Sequence, residues 1–365
     1  MSFFELEPDG FSSTQAGAED VELPTFLVPV LFCVERPTNM TRLILTSQSG
    51  FSLGRTDLAD VVIPFTFRFV WGPLPSPDEL ATYLAARSDD HAPGTHWSDF
   101  VGRWPPATKA RKDFGFLEFC RHCEKVELWL DPGPNDQLHL VWLLDYFSSH
   151  PVIVARLRLC LVDYNLIGAS DEELGRWKMP AVDVTKDELE TASLTWRAYR
   201  ATTPEACVDL LRRDLSALPL LRPALFDLIE ELPSRATGLG ATEMRLLELI
   251  ARGYERTNAL FYLRGLRRRR VFSDWEIGSL LEGLAHGPRP AVAGLDDGLR
   301  TLETSNLRAR DEAYKRSRLS LTEFGKAIVA HMEDFSRHNP IDRWWGGTRL
   351  TNDRLWRWDP ILIAP

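Results

Sequence analysis

One stretch limits the folds open to this chain more than any other: residues 126–163. VELWL (126–130) is a short apolar run of strand-forming residues, and DPGPN (131–135) is turn chemistry. DQLHLVWLLDYFSS (136–149) has helical spacing and is apolar on most faces, so it has to be buried. ARLRLCLVD (155–163) is a second strand. Strand, turn, helix and strand within about 38 residues is what a right-handed crossover between parallel strands needs. The stretch predicts an α/β domain over 22–168, with a parallel or mixed sheet of flavodoxin or Rossmann type. Its ligand-competent edge lies at the carboxyl ends of the strands.

The rest of the chain is read around that block. Residues 1–21 are polar and rich in small residues, which predicts a loose leader. TFLVPVLFCV, TRLILT and DVVIPFTFRFVW predict strands, each bounded by turn residues. SPDELATYLAAR predicts a helix with Ser76 as cap, Pro77 in its first turn and Glu79 three residues past the cap. PATKARKDFGFLEFCRHC predicts a second helix, and 171–287 reads as almost wholly helical, with a helical linker domain over 169–236. Residues 237–365 predict helices starting near 241, 257, 274 and 322. A strand pair, RPAVAG and SRLSLT, flanks a charged insert at 295–317. That order is compatible with a winged-helix-like domain.

Net charge is −9, but 237–365 hold 21 Lys/Arg against 17 Asp/Glu while the remainder holds 22 against 35. The asymmetry points to an anionic partner for the C-terminal part. No apolar run reaches the ~20 residues that span a bilayer. The acidic start MSFFELEPDG lacks the features of a signal peptide. Five cysteines are an odd, sparse set and not a disulfide framework. These points predict a cytoplasmic protein with no membrane partner.

Asp131 and Asp136 fall at the carboxyl end of a predicted strand, where a carboxylate can act as a base or hold a cation. With Gln137 they are the catalytic candidates; the alternative is turn formation by Asp131 and helix capping by Asp136. CRHC places Cys120 and Cys123 at C-x-x-C spacing, but no second pair completes a zinc site, so buried thiols are expected. His91, His96 and Asp99 in HAPGTHWSD are spaced as a loop, with nothing to fix a metal geometry. No metal and no cofactor are expected. RGLRRRR gathers Arg264, Arg267, Arg268, Arg269 and Arg270, a natural anion or nucleic-acid contact, or else a solvated helix end. No P-loop, G-x-S-x-G or H-E-x-x-H motif is present.

IDRWWGGTRLTNDRLWRWDP (341–360) carries four of the 12 tryptophans. Gly346–Gly347 predicts a tight turn between two strands. The segment is read as a docking hairpin whose indoles close a core, with recognition taking place elsewhere, and its arginines Arg343, Arg349, Arg354 and Arg357 are expected to stack on those rings or to pair with Asp342, Asp353 and Asp359.

The blocks VELWLDPGPNDQLHLVWLLDYF, TWRAYRATTPEACVDLL, GLGATEMRLLELI, LSLTEFGKAIV and DRWWGGTRL followed by LWRWD together resemble an uncharacterised bacterial family of the "domain of unknown function 1835" type, over roughly residues 60–360. Trp129, Asp136, Gln137 and Leu138 match its strand–helix block, Gly72 and Pro73 its Gly-Pro turn, and Trp344, Gly346, Gly347, Trp356 and Asp359 its ending. Phe67 and Gly133 stand where the family pattern has acids, and its Gly-Asp-Ser turn after the first strand is not evident. The resemblance implies a pattern and no known activity. The functional expectation is a non-enzymatic bacterial regulator or adaptor, whose C-terminal domain binds DNA or a protein and whose α/β domain binds a small ligand or a partner. The alternative is an enzyme acting on a phosphorylated or nucleotide-like substrate at the strand ends.

Overall fold

Leu43, Ile44 and Leu45 are consecutive and wholly buried. A strand apolar on both faces needs cover on both, which is the situation of a central strand in a parallel sheet. The computed structural model describes residues 42–89, 91–101, 114–162, 166, 169–178, 180–262 and 271–365, all within one unit, Asn39–Pro365. In it β1 (Arg42–Ser47) lies between β2 (Val61–Phe65) and β3 (Lys125–Leu130). β4 (Leu157–Leu161) follows β3, and β5 (Ala181–Asp183) forms the far edge. The first four strands are parallel and β5 is antiparallel, so the sheet is mixed, in the order β2-β1-β3-β4-β5. Glu127, buried within β3, is held by Arg42 through two bonds of 2.9 and 2.7 Å and by the Trp129 indole at 2.9 Å.

Three helices lead to the crossover. α1 (Pro77–Leu84) has the predicted capping box of Ser76 and Glu79, α2 spans Phe116–Arg121, and α3 spans Pro134–Ser148. α3 is buried on nearly every face because it is covered twice, by the sheet and by α6 (Lys186–Tyr199), which follows α4 (Pro151–Val154) and α5 (Asp171–Arg176). The opposite face of the sheet, with Ile44, Val62, Trp129 and Cys160, is a smaller core closed by Leu53 and Leu174.

The remaining helices are α7 (Glu205–Leu210), α8 (Leu221–Glu230), α9 (Ala241–Ala251), α10 (Thr257–Tyr262), α11 (Asp274–His286), α12 (Leu307–Arg316) and α13 (Glu323–Val329). β6 (Val292–Ala293) and β7 (Ser320–Leu321) form the expected antiparallel pair around α12. β8 (Asp342–Trp345) and β9 (Thr348–Thr351) form the hairpin turned by Gly346–Gly347, and β10 (Arg357–Trp358) pairs with β11 (Leu362–Ile363).

Four details differ from the sequence reading. The strand expected to run to Trp71 stops at Phe65, because Asn135 of α3 binds the Phe69 N–H at 2.9 Å and the Phe67 carbonyl at 3.2 Å, drawing the backbone off the ladder. β5 lies in a segment read as helical; three residues are too few to carry a period. α13 ends early, with His331 in the left-handed region and the Met332 N–H bonding the Ala327 carbonyl, a Schellman-type stop made without glycine. The helix expected over PATKARKDFGFLEFCRHC is seen only from Phe116; residues 106–113 lie outside the described residues, as do the leader, TFLVPVLFCV and the run 264–270. Among the described residues no helix is long and apolar enough to cross a membrane.

Candidate functional site

β1 and β3 are neighbours, and the chain leaves them toward opposite edges of the sheet. That gap is where a parallel sheet opens a crevice at its carboxyl edge. Ser47 ends β1, Asp131 follows β3, and Asp136 stands in the first turn of α3. The Asp136 carboxylate accepts the hydroxyls of Ser47 at 2.5 Å and Ser49 at 2.8 Å, across 89 and 87 residues of chain. It does not cap α3, whose N-cap is Gly133 with no side-chain bond. Asp131 makes the expected turn, accepting the Gly133 N–H at 2.8 Å. Both acids are about 95% buried. Burial raises both carboxyls, and the charge of Asp131 pushes Asp136 further, up to about 8, against the pull of the two serines. Gln137 donates to the Asp131 carbonyl at 2.7 Å while its own carbonyl oxygen is buried without a partner.

The other candidates resolve locally. Cys120 and Cys123 are free, buried thiols, and desolvation raises both, Cys123 to about 12. Asp99 is occupied by Arg87 and by the Gly94 and His96 N–H groups, and His96 caps the turn at 97–100. Among the described residues no group of three or more potential ligands could hold a metal. Arg264 and Arg267–Arg270 lie outside the described residues.

A second site was not visible in the sequence. A cavity of about 510 Å³ opens between the loop after β2, α11 and the hairpin. Trp71 and Phe272, edge to face at 5.6 Å, line it, together with Trp344 and Trp345 of β8. Trp345 and Trp356 are buried, as a docking hairpin requires: the Trp345 indole donates to the Leu228 carbonyl at 2.6 Å, and Gly347 N–H bonds Tyr199 at 2.9 Å. Trp344 and Trp345 of this segment also wall the cavity.

The polar groups of that cavity come from distant segments. Arg343 donates through Nη1 to Glu243, 100 residues away, at 2.7 Å. Its other terminal nitrogen, Nη2, is buried without a partner. The Nε2 of His286, at the end of α11, is likewise buried and unpartnered, and desolvation lowers that imidazole. Glu231 accepts the Thr242 hydroxyl at 2.5 Å and N–H at 3.2 Å; burial pushes its carboxyl up to about 7, Glu243 adding to the rise and Arg343 opposing it. Of the local pairs expected for the tail arginines, Arg349 with Asp342 forms, whereas Arg343 and Arg357 reach Glu243 and Asp334. The only trace of this site in the sequence is an arginine inside an aromatic run. Compared with protein-family models and with curated proteins, the chain matches none.

Proposed function

We propose that this chain is a non-enzymatic regulator or adaptor that holds a small molecule in the cavity between α11 and the Trp-rich hairpin. The observation that carries the reading is an aromatic-lined space of about 510 Å³, walled by Trp71, Phe272, Trp344 and Trp345, with Glu231, Glu243, His286 and Arg343 also among its lining residues. Pockets of this size and lining are where small molecules sit. We read the sheet as flavodoxin-like, supported by its strand order, and the region 237–365 as winged-helix-like, supported by α9, α10 and α11 followed by the β6–β7 pair. Its partner, in this reading, is a protein. α11, the helix a winged helix would lay in a major groove, carries Asp274, Glu276 and Glu282 and neither Lys nor Arg. Glu276 is moreover committed to Arg68 through bonds of 2.8 and 2.6 Å.

The enzyme reading keeps one observation in its favour, the Asp131–Asp136 pair with Ser47 and Ser49 at the sheet's carboxyl edge. Against it, both acids are closed off from solvent.

Gly283 lines the cavity, and a Cβ built there meets no atom within 4 Å. Gly283→Phe is expected to fold with an unchanged or slightly raised melting temperature, since a helical glycine costs about 0.5–1 kcal/mol. It should also lose the small-molecule fragments that ligand-observed NMR detects on the parent chain. Fragments that bind both proteins equally would remove the cavity as the site.

A further inference from the structure

We propose that the cavity takes a small molecule built on a flat aromatic ring, and prefers it to the saturated ring of the same skeleton. The inference rests on the small-molecule reading above and narrows it to a chemical class.

Aromatic surface reaches the cavity from separate segments: Trp71 in the loop after β2, Phe272 just ahead of α11, and Trp344 and Trp345 in β8. Trp71, Phe272 and Trp344 are half-buried, so each keeps accessible surface. The Trp71 and Phe272 rings meet at 5.6 Å and 82°. Two rings so placed form a corner. A flat aromatic guest can lie face to face on one of them and turn its edge to the other. Both arrangements suit π systems, whose faces are negative and whose edges are positive. A saturated ring has neither, and is held by its apolar area alone.

The corner is also set before any guest arrives. Arg68, three residues ahead of Trp71, binds Glu276 through bonds of 2.8 and 2.6 Å. The same carboxylate accepts the N–H of Ser273, the neighbour of Phe272, at 2.7 Å. The loop that carries Trp71 is thereby tied to the start of α11. The hairpin wall is held in turn by the Trp345 indole on the Leu228 carbonyl and by Gly347 on Tyr199. Walls placed in advance lose little freedom on binding, so the geometry of ring contacts, and not area alone, enters the affinity.

The test uses uncharged pairs that share a skeleton and a hydroxyl: benzyl alcohol against cyclohexylmethanol, and naphthylmethanol against its fully hydrogenated form. Each is titrated into the full chain by calorimetry and ligand-observed NMR, and then into Gly283→Phe, Phe272→Leu and Trp344→Leu. The saturated member is the larger and buries more apolar surface, so area alone would make it the tighter binder. The aromatic member is instead expected to bind about three- to tenfold more tightly. Phe272→Leu and Trp344→Leu, which keep the walls apolar, are expected to bring that ratio down to about one or below while both members still bind. Saturated members that bind the parent chain as tightly as aromatic ones, with both lost in Gly283→Phe, would overturn the class while leaving the cavity as a site. A preference that survives both leucine substitutions would overturn it too. If no probe binds, or binding ignores Gly283→Phe, the class and the cavity reading fall together.

Discussion

Asp136 shows how far a single residue can be read from sequence. Its position past a predicted strand singled it out, but its partners could not be foreseen, because Ser47 and Ser49 are nearly 90 residues away and serines are common. The helix N-terminus and the serines favour the carboxylate, while burial and Asp131 favour the acid, and burial is the larger effect. The folded chain therefore holds a proton that the unfolded chain releases near pH 4. Stability from this group is fully present below that pH and is lost as pH rises through about 8. Asp136→Asn cannot titrate, so urea titrations from pH 4.5 to pH 8.5 (a range set by about these two limits) should show a shallower decline than the parent, by up to about one proton per molecule. An equal slope in both proteins would mean that Asp136 is ionised in the folded state. Glu231 is not legible in the sequence for the same reason as the serines, and Arg343, expected to act locally, reaches Glu243 100 residues away: the meaning of both lies in long-range neighbours.

At the scale of elements, what could be read followed the strength of local chemistry. The α1 and α11 capping boxes, the strand–turn–helix–strand block and the Gly346–Gly347 turn all form where Ser, Glu, Pro and Gly sit at fixed offsets. β5 and the early end of β2 escaped, since three residues carry no period and a side chain of α3 decides where β2 stops. The hairpin docks through tight contacts, and two substitutions test this. Gly346 has φ +54°, and a Cβ there would lie 2.4 Å from the Tyr199 carbonyl oxygen. Gly346→Ala should cost at least about 1–2 kcal/mol, from the left-handed backbone alone. Trp356→Ala should cost about 3–5 kcal/mol, as large aromatic truncations in cores do. Denaturant unfolding measures both, and an unshifted midpoint for Trp356→Ala would show the tail to be an appendage.

For the whole molecule, the uneven charge suggested an anionic partner, but most basic side chains described in the C-terminal part are already committed. Arg308, Arg310, Lys315 and Arg316 pair with Glu312, Glu282, Asp311 and Asp296. Net charge by region is legible in a sequence, whereas its internal neutralisation is not. If the protein reading of the partner holds, the chain should pass through a DNA column at low salt without retention, and alanine at Arg267–Arg270 should change nothing. Salt-sensitive retention that those alanines abolish would restore nucleic acid as the partner. The cavity joins Trp71 to Trp345, so its walls are synthesised far apart in time. A nascent polypeptide paused on the ribosome before residue 341 could already hold its sheet yet offer no chamber, and any metabolite that lodges there can engage only molecules whose translation has passed that point.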